Sequence, residues 1–329
     1  MTGPAPVWDV INGYAGYWAL HAAVDLGLFD ELADGPRATH ELAAATGVGD
    51  SADLAVLTEL LVALNLLDTD GTAWSLTPSA ARFLVSTSPA SMAGLVRYSP
   101  GPHGAWPELA ATLRAGAPAP ATEDALADVY PDLVRATSAT QRVVAAGVAE
   151  SLTAQGIWGR DGQTVVDLGC GAGAWLHALL DAAGPGAHGV GVDRADVLAT
   201  VATRPDLDLR AGDYLDVALP ERADVVVLAH VLRAESPERA QALVVRALDL
   251  LDAGGVLLVA DYFRPPSGQA AAAYHAARHD LTLALTMRAS TPGRGITEDD
   301  LVTWCGTHAT QVLEPVPRQR VHLITRGDR

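Results

Sequence analysis

Apolar residues along this chain follow two different periods. In the first hundred positions they recur at helical spacing. Leu20, Val24, Leu28 and Leu32 predict an amphipathic helix over 17–32, and a longer apolar-periodic helix follows over 51–67. Between them Thr39–Thr46 reads as a short helix opened by a capping box of Thr39 with Glu41, and Leu76-Thr77-Pro78 after Asp70-Gly71 predicts a small hairpin wing. Loops at 99–102 and 115–120 lead to a long helix over 132–153. From residue 164 the pattern changes to short β-rich runs over 164–168, 189–193, 207–211, 224–229 and 256–260, separated by helical stretches such as 174–183. This is a βαβ series. Runs over 311–316 and 320–325 flank Pro317-Arg318-Gln319 and predict a terminal hairpin.

The stretch Thr-Val-Val-Asp-Leu-Gly-Cys-Gly-Ala-Gly at 164–173 is where this pattern meets chemistry. A buried strand runs into a turn in which Gly169, Gly171 and Gly173 let the backbone turn sharply and approach a ligand. In a dinucleotide fingerprint, Gly-x-Gly-x-x-Gly, the third glycine comes one residue later than it does here. Asp167 precedes the first glycine by two positions, at the strand end. The next strand ends in Asp193, 26 positions beyond Asp167, where a carboxylate takes both hydroxyls of a ribose. The third strand ends in Gly212-Asp213-Tyr214.

Composition narrows the partners. The 329 residues leave room for two domains, one with a substantial core. No run reaches the roughly 18 apolar residues of a membrane span, and no secretory signal precedes Trp8, so a cytoplasmic protein is expected. The two cysteines, Cys170 and Cys305, form neither a disulfide framework nor a metal knuckle. The net charge is −17, and all 22 basic residues are arginine. Such a surface disfavours nucleic acid and anionic membranes, which leaves small molecules as substrates. The helices and wing of the first third have the shape of a DNA reader, but residues 1–98 carry 11 acids against 3 arginines.

Gly169-Cys170-Gly171-Ala172-Gly173 with Asp167 resembles the first motif of the Rossmann-like S-adenosylmethionine (SAM) methyltransferases. The run from Ala19 to Asp30, then Glu41-Leu42-Ala43, Leu64-Asn65-Leu66-Leu67 and Ser75-Leu76-Thr77-Pro78, resembles the N-terminal domain of the small-molecule O-methyltransferases. These include plant caffeate and flavonoid enzymes and bacterial enzymes that tailor secondary metabolites. Trp106-Pro107-Glu108-Leu109 and Leu113-Arg114-Ala115-Gly116 are similar to two further elements of that family. The resemblance covers roughly residues 10–325. It implies an α/β fold: a class I SAM domain over 156–329 with a reversed terminal strand, a winged-helix dimerisation domain over 1–98, and connecting helices over 99–155 that cover the active site. It implies a homodimer in which the N-terminal segment of one subunit closes the pocket of the other; Trp8, Tyr14, Tyr17 and Trp18 read either as that closing wall or as ordinary helix packing. Carried over residue by residue, Asp167, Gly169, Gly171, Gly173, Asp193, Gly212, Asp213, Tyr214 and Ala229 bind SAM, with Asp213 accepting from the adenine amine and Tyr214 packing on its ring.

One position departs from the family. The fourth strand should be followed by a segment similar to Leu-His-Asp-Trp, whose histidine is the general base. Here the residues are Leu232-Arg233-Ala234-Glu235. A guanidinium, with a pKa above about 12, cannot take a proton near neutrality, but it can hold a carboxylate, enolate or phenolate. Other candidates are His230 at the strand mouth, and His275 and His279 on one helix face beside Asp280. The family carries an acid matching Asp280 and an arginine matching Arg294. No third ligand is fixed by spacing, so the histidine pair reads as substrate-lining rather than metal-binding. His103 reads as loop structure. The expected activity is methyl transfer from SAM to an oxygen of a small natural-product intermediate. The alternative is a non-methylating relative that binds SAM while performing hydroxylation, decarboxylation or a pericyclic rearrangement.

Overall fold

Gly27 divides the first amphipathic run. In place of one helix over 17–32 the chain forms α1 (Ala5–Asp25) and α2 (Leu28–Glu31), with Gly27 left-handed at φ +67 between them. Val24, Leu28 and Leu32 are still buried together, because the break preserves their common face. The structure, a computed structural model, describes residues 3–98, 105–118, 120–317 and 319–325, and only the backbone at 98 and 120–129. The loop expected over 99–102, His103 and Arg318 lie outside the described residues. The chain divides between Ser99 and Pro100 into two units.

In the first unit, α3 (Thr39–Thr46) opens on Ala38, whose N–H donates to the Glu41 carboxylate at 2.9 Å. The expected capping box is therefore half formed, because the Thr39 hydroxyl instead accepts from the Trp74 indole at 3.0 Å. Helix α4 (Ser51–Ala63) is capped by Asp50 and ends short of the expected 67, where Asn65 turns left-handed at φ +58. This frees Leu67 to start the predicted wing, β1 (Leu67–Thr69) paired antiparallel with β2 (Trp74–Leu76). Helices α5 (Pro78–Phe83) and α6 (Ala93–Tyr98) complete the unit. The N-terminal half of α1 is uncovered: Trp8 is 56% exposed, Ile11 51% and Tyr14 71%. Tyr17 is engaged within the unit, its hydroxyl donating to the Val96 carbonyl at 3.0 Å.

The second unit begins with α7 (Leu109–Ala115) and the long α8 (Pro120–Ala154). Next come β3 (Thr164–Leu168), α9 (Ala174–Asp181), β4 (His188–Asp193), α10 (Ala195–Leu198), β5 (Leu207–Ala211) and β6 (Ala223–Ala229). A single 3-10 turn at Leu232–Ala234 leads to α11 (Pro237–Leu250), β7 (Leu251–Ala260), α12 (Ala271–Ala276), α13 (Arg278–Ser290), α14 (Glu298–Cys305), β8 (Ala309–Val316) and β9 (Gln319–Thr325). The seven-stranded sheet has the order β5-β4-β3-β6-β7-β9-β8. The first five strands are parallel, and β9 runs antiparallel to both β7 and β8, as the reversed terminal hairpin requires.

Both faces of the sheet are covered at its centre, so β3, β6 and β7 read as nearly continuous apolar runs rather than alternating ones, whereas the edge strands β5 and β8 are mostly uncovered. Val165, Val225, Val227 and Leu258 pack on one face and Val166, Leu168, Val226 and Leu257 on the other. On α11, Ala240, Leu243, Val244 and Ala247 form the buried stripe. The chain builds outward from β3 to β4 and β5, then crosses back to β6 beside β3. This reversal is a topological switch point, and the loops leaving the C-terminal ends of β3 and β6 diverge there to leave a crevice. Among the described residues no helix is long and apolar enough to cross a membrane.

Candidate functional site

The glycine turn is tied to β4 by its backbone. The N–H groups of Gly169 and Cys170 both donate to the Val192 carbonyl, at 2.8 and 3.0 Å, and Gly171 N–H donates to Asp193 Oδ2 at 2.8 Å. Gly169 and Gly171 have φ of +88 and +54. A Cβ on Gly169 would lie 2.7 Å from Val231 Cγ2, and one on Gly171 would lie 3.0 Å from Val134 Cγ1 of α8. Any side chain at either place would both strain the turn and fill the crevice. Gly173 caps α9.

Three acids stand at the ends of the first three strands in spatial sequence. Asp167, the fourth residue of β3, is fully buried, and neither of its oxygens has a hydrogen-bond partner among the described residues. Burial, reinforced by the charge of Asp193, pushes its carboxyl well above the usual range. Asp193, at the end of β4, is raised by burial, while the N–H groups of Gly171 and Arg194 oppose that rise by holding its two oxygens at 2.8 Å each. Asp213 follows β5 and Gly212. Its carboxyl is held down first by the Leu215 N–H and then by Arg239. The hydroxyl of Tyr214 donates to Glu235.

A second cluster lies at the ends of β6 and β7. His230 follows Ala229 with a left-handed φ of +61, a strained conformation for a residue with a side chain. Its Nε2 is 2.8 Å from Gln141 Oε1 of α8, and its Nδ1 is 3.1 Å from Arg233 Nη1. A guanidinium only donates, so Nδ1 accepts, and Nε2–H donates a hydrogen bond to Gln141 Oε1. Burial and then the Arg233 charge push the imidazole well below its usual range, in keeping with that neutral form. Arg233 Nη1 lies 3.5 Å from Asp261 Oδ1, and the Arg233 backbone N–H donates to Asp261 Oδ2 at 3.2 Å. Its guanidinium also sits 5.1 Å over the Tyr262 ring. Burial raises the Asp261 carboxyl, and Arg233 is the largest influence opposing that rise.

His230 and Arg233 are thus brought together. The pairing of His275 with His279 is not. Ala277 interrupts the helix at φ −94 and ψ 20, so His275 lies on α12 and His279 on α13, and no common helix face carries them. His279 is exposed and meets the Tyr262 ring edge-on at 5.4 Å. Asp280 lies in the first turn of α13, and Arg294 is exposed. Sequence reading missed Gln141, Asp261, Tyr262 and Arg239. Asp261 did carry a signal, since it ends an apolar strand as Asp193 does.

Residues 8–86 match the O-methyltransferase dimerisation domain, and residues 130–303 match the O-methyltransferase domain. The chain is 30% identical to the N,N-dimethyltransferase OxyT of Streptomyces rimosus, over 76% of this chain and 75% of that one. It is 28% identical to the tetracenomycin polyketide synthesis 8-O-methyl transferase TcmO of Streptomyces glaucescens, over 92% of this chain and 90% of that one. The fold is shared with human N-acetylserotonin methyltransferase in complex with SAM, at TM-score 0.82, 22% identity and coverage of 100% and 99%.

Asp167 has a stability consequence. Its folded-state carboxyl is raised, so between the unfolded value, about 3.9, and the folded one the native state holds a proton that the unfolded chain has lost, and stability falls as pH rises through that window. Asp167→Asn removes this loss. Melting curves of the ligand-free proteins should show the variant gaining on the wild type as pH rises from about 4 toward neutrality. A constant difference across that range would contradict the uncompensated carboxylate.

Proposed function

The chain belongs to the O-methyltransferase family, and we propose that it is a cytoplasmic homodimer that methylates an oxygen of a small natural-product intermediate at the expense of SAM. The reading is supported above all by the convergence of Asp167, the glycine turn, Asp193 and Asp213 along one edge of a parallel sheet. The residues fit this cofactor. An uncompensated buried carboxylate suits a cationic ligand, and the backbone cradle excludes side chains. The non-methylating alternative is not favoured, since the named relatives are methyltransferases.

SAM supplies an electrophilic methyl on a sulfonium centre, which leaves as S-adenosylhomocysteine when the acceptor attacks. In this proposal Asp193 accepts from the ribose hydroxyls and Asp213 from the adenine amine. Tyr214 packs on the purine, and Asp167 receives the cationic end. Gly212 and Ala229 keep the backbone at the rim free of bulk. His230 is neutral with both ring nitrogens engaged, so it orients Arg233 rather than removing a proton. Arg233 then stabilises the acceptor as its phenolate or enolate, which lowers the need for a base. His279 and Asp280 line the acceptor side. Alignment of the nucleophile in a dry site contributes about 7–11 kcal/mol in well-oriented systems, so catalysis survives without the family's histidine.

The acidic surface argues for a small acceptor rather than nucleic acid or membrane. Pairing of subunits is argued from the dimerisation domain and the bare face of α1. Light scattering should give twice the 34.1 kDa chain mass, and a monomer at micromolar concentration would contradict it.

Incubation with SAM and a panel of phenolic and enolic acceptors should yield methylated product and S-adenosylhomocysteine in equal amounts. Turnover with SAM unconsumed would overturn the proposal. Arg233→Ala, combined with Asp261→Asn so that no buried charge is stranded, should lower kcat/KM for the acceptor by about tenfold or more with S-adenosylhomocysteine affinity nearly unchanged. Full retention of kcat/KM would remove Arg233 from the acceptor site.

A further inference from the structure

Arg239, in the first turn of α11, joins two loops that no strand pairing connects. Its Nη2 donates to both oxygens of Asp213, at 2.9 and 3.1 Å, and its Nε donates to Glu235 Oε2 at 2.7 Å. The other Glu235 oxygen receives the Tyr214 hydroxyl. The guanidinium carbon also lies 5.9 Å over the Tyr214 ring. Asp213 and Tyr214 follow β5, whereas Glu235 and Arg239 follow β6, and β4 and β3 stand between those strands in the sheet. Position in the fold fixes the donor itself, since Ser236 caps α11 and Pro237 occupies its first turn.

A carboxylate on an exposed loop loses rotamer freedom only when something holds it, and here Nη2 reaches both Asp213 oxygens while Nε, fixed on Glu235, sets the plane of the guanidinium. One guanidinium between two carboxylates leaves the group anionic, so Asp213 keeps lone pairs to offer. Glu235 anchors the Tyr214 ring through its hydroxyl, which sets the plane of the ring beside that carboxylate.

We propose that Arg239 is a positioning residue for purine recognition, locking the Asp213 carboxylate and the Tyr214 ring into one unit that selects a 6-amino purine over a 6-oxo purine. The inference rests on reading Asp213 and Tyr214 as the adenine subsite. A fixed carboxylate presents only acceptors to the purine 6-position. An amine donates to it there, whereas a carbonyl oxygen meets an unpaired negative charge and is rejected. Without the fork, the carboxylate rotates away and the rejection weakens.

Calorimetric titration of S-adenosylhomocysteine and S-inosylhomocysteine into the wild type, Arg239→Met and Arg239→Lys tests this. Arg239→Met should lose about tenfold in affinity for the adenosyl ligand and much less for the inosyl one, so that selectivity collapses. Arg239→Lys should recover part of it. An unchanged adenosyl-to-inosyl ratio in Arg239→Met, or an equal loss for both ligands, would overturn the proposal by making Arg239 inert or merely structural. Two other results would overturn its premises and are distinguishable from these. Wild type that binds neither ligand defeats the methyltransferase reading, and Asp213→Asn with wild-type selectivity defeats the adenine assignment.

Discussion

An uncompensated carboxylate at the centre of a parallel sheet is the constraint around which the rest of the site is built. Asp167 lies on β3, between β4 and β6, with no donor within reach among the described residues. A buried charge of this kind costs stability unless it is protonated or paired. On the proposed reading the fold keeps one there for a ligand, and the neighbouring features agree with that reading. The chain reverses direction beside β3, the turn after it is glycine wherever a side chain would intrude, and the carboxylate at the end of β4 is fastened to that turn by the Gly171 N–H. Local strain and electrostatic cost concentrate where function needs them.

The cluster at the ends of β6 and β7 is organised on the opposite principle, since each of its charges has a partner. Arg233 answers Asp261, His230 is held between Gln141 and Arg233, and Tyr262 lies under the guanidinium. With arginine rather than the histidine that the family resemblance implied at this position, a group that holds an anion stands where one that accepts a proton was expected. The buried Asp261 makes the exchange tolerable, because an arginine alone in that mostly buried place would itself be an uncompensated charge. Both sides meet at the crevice between β3 and β6, one short of positive charge and the other neutralised.

Most strands were legible in the sequence because each is a β-branched run that the sheet buries on both faces. The reversed hairpin was legible because Pro317 and Gln319 punctuate two β-rich runs, of which β9 is buried and the edge strand β8 is mostly exposed. The helix breaks were harder to read. Gly27 stands alone inside a helical pattern that continues on both sides of it. Ala277 carries no local signature at all, so the spacing of His275 and His279 suggested a shared face that the backbone does not provide. The acids at the strand ends were readable from position alone, and Asp261 obeys the same rule. Gln141 reaches His230 across 89 positions of sequence, and Arg239 reaches Asp213 across 26. Contacts of that range depend on how α8 and α11 pack, which periodicity does not reveal.

The central claim is that Asp167 is a proton-holding acid in the ligand-free protein which ionises to receive the cationic end of the cofactor. Calorimetric titration of S-adenosylhomocysteine in buffers of different ionisation enthalpy measures this directly, by counting the protons exchanged on binding. The account predicts net proton release on binding over the acid-to-neutral range, because the carboxyl that burial raises in the ligand-free protein falls when a cation pairs with it. Binding heats independent of buffer across that range would contradict it.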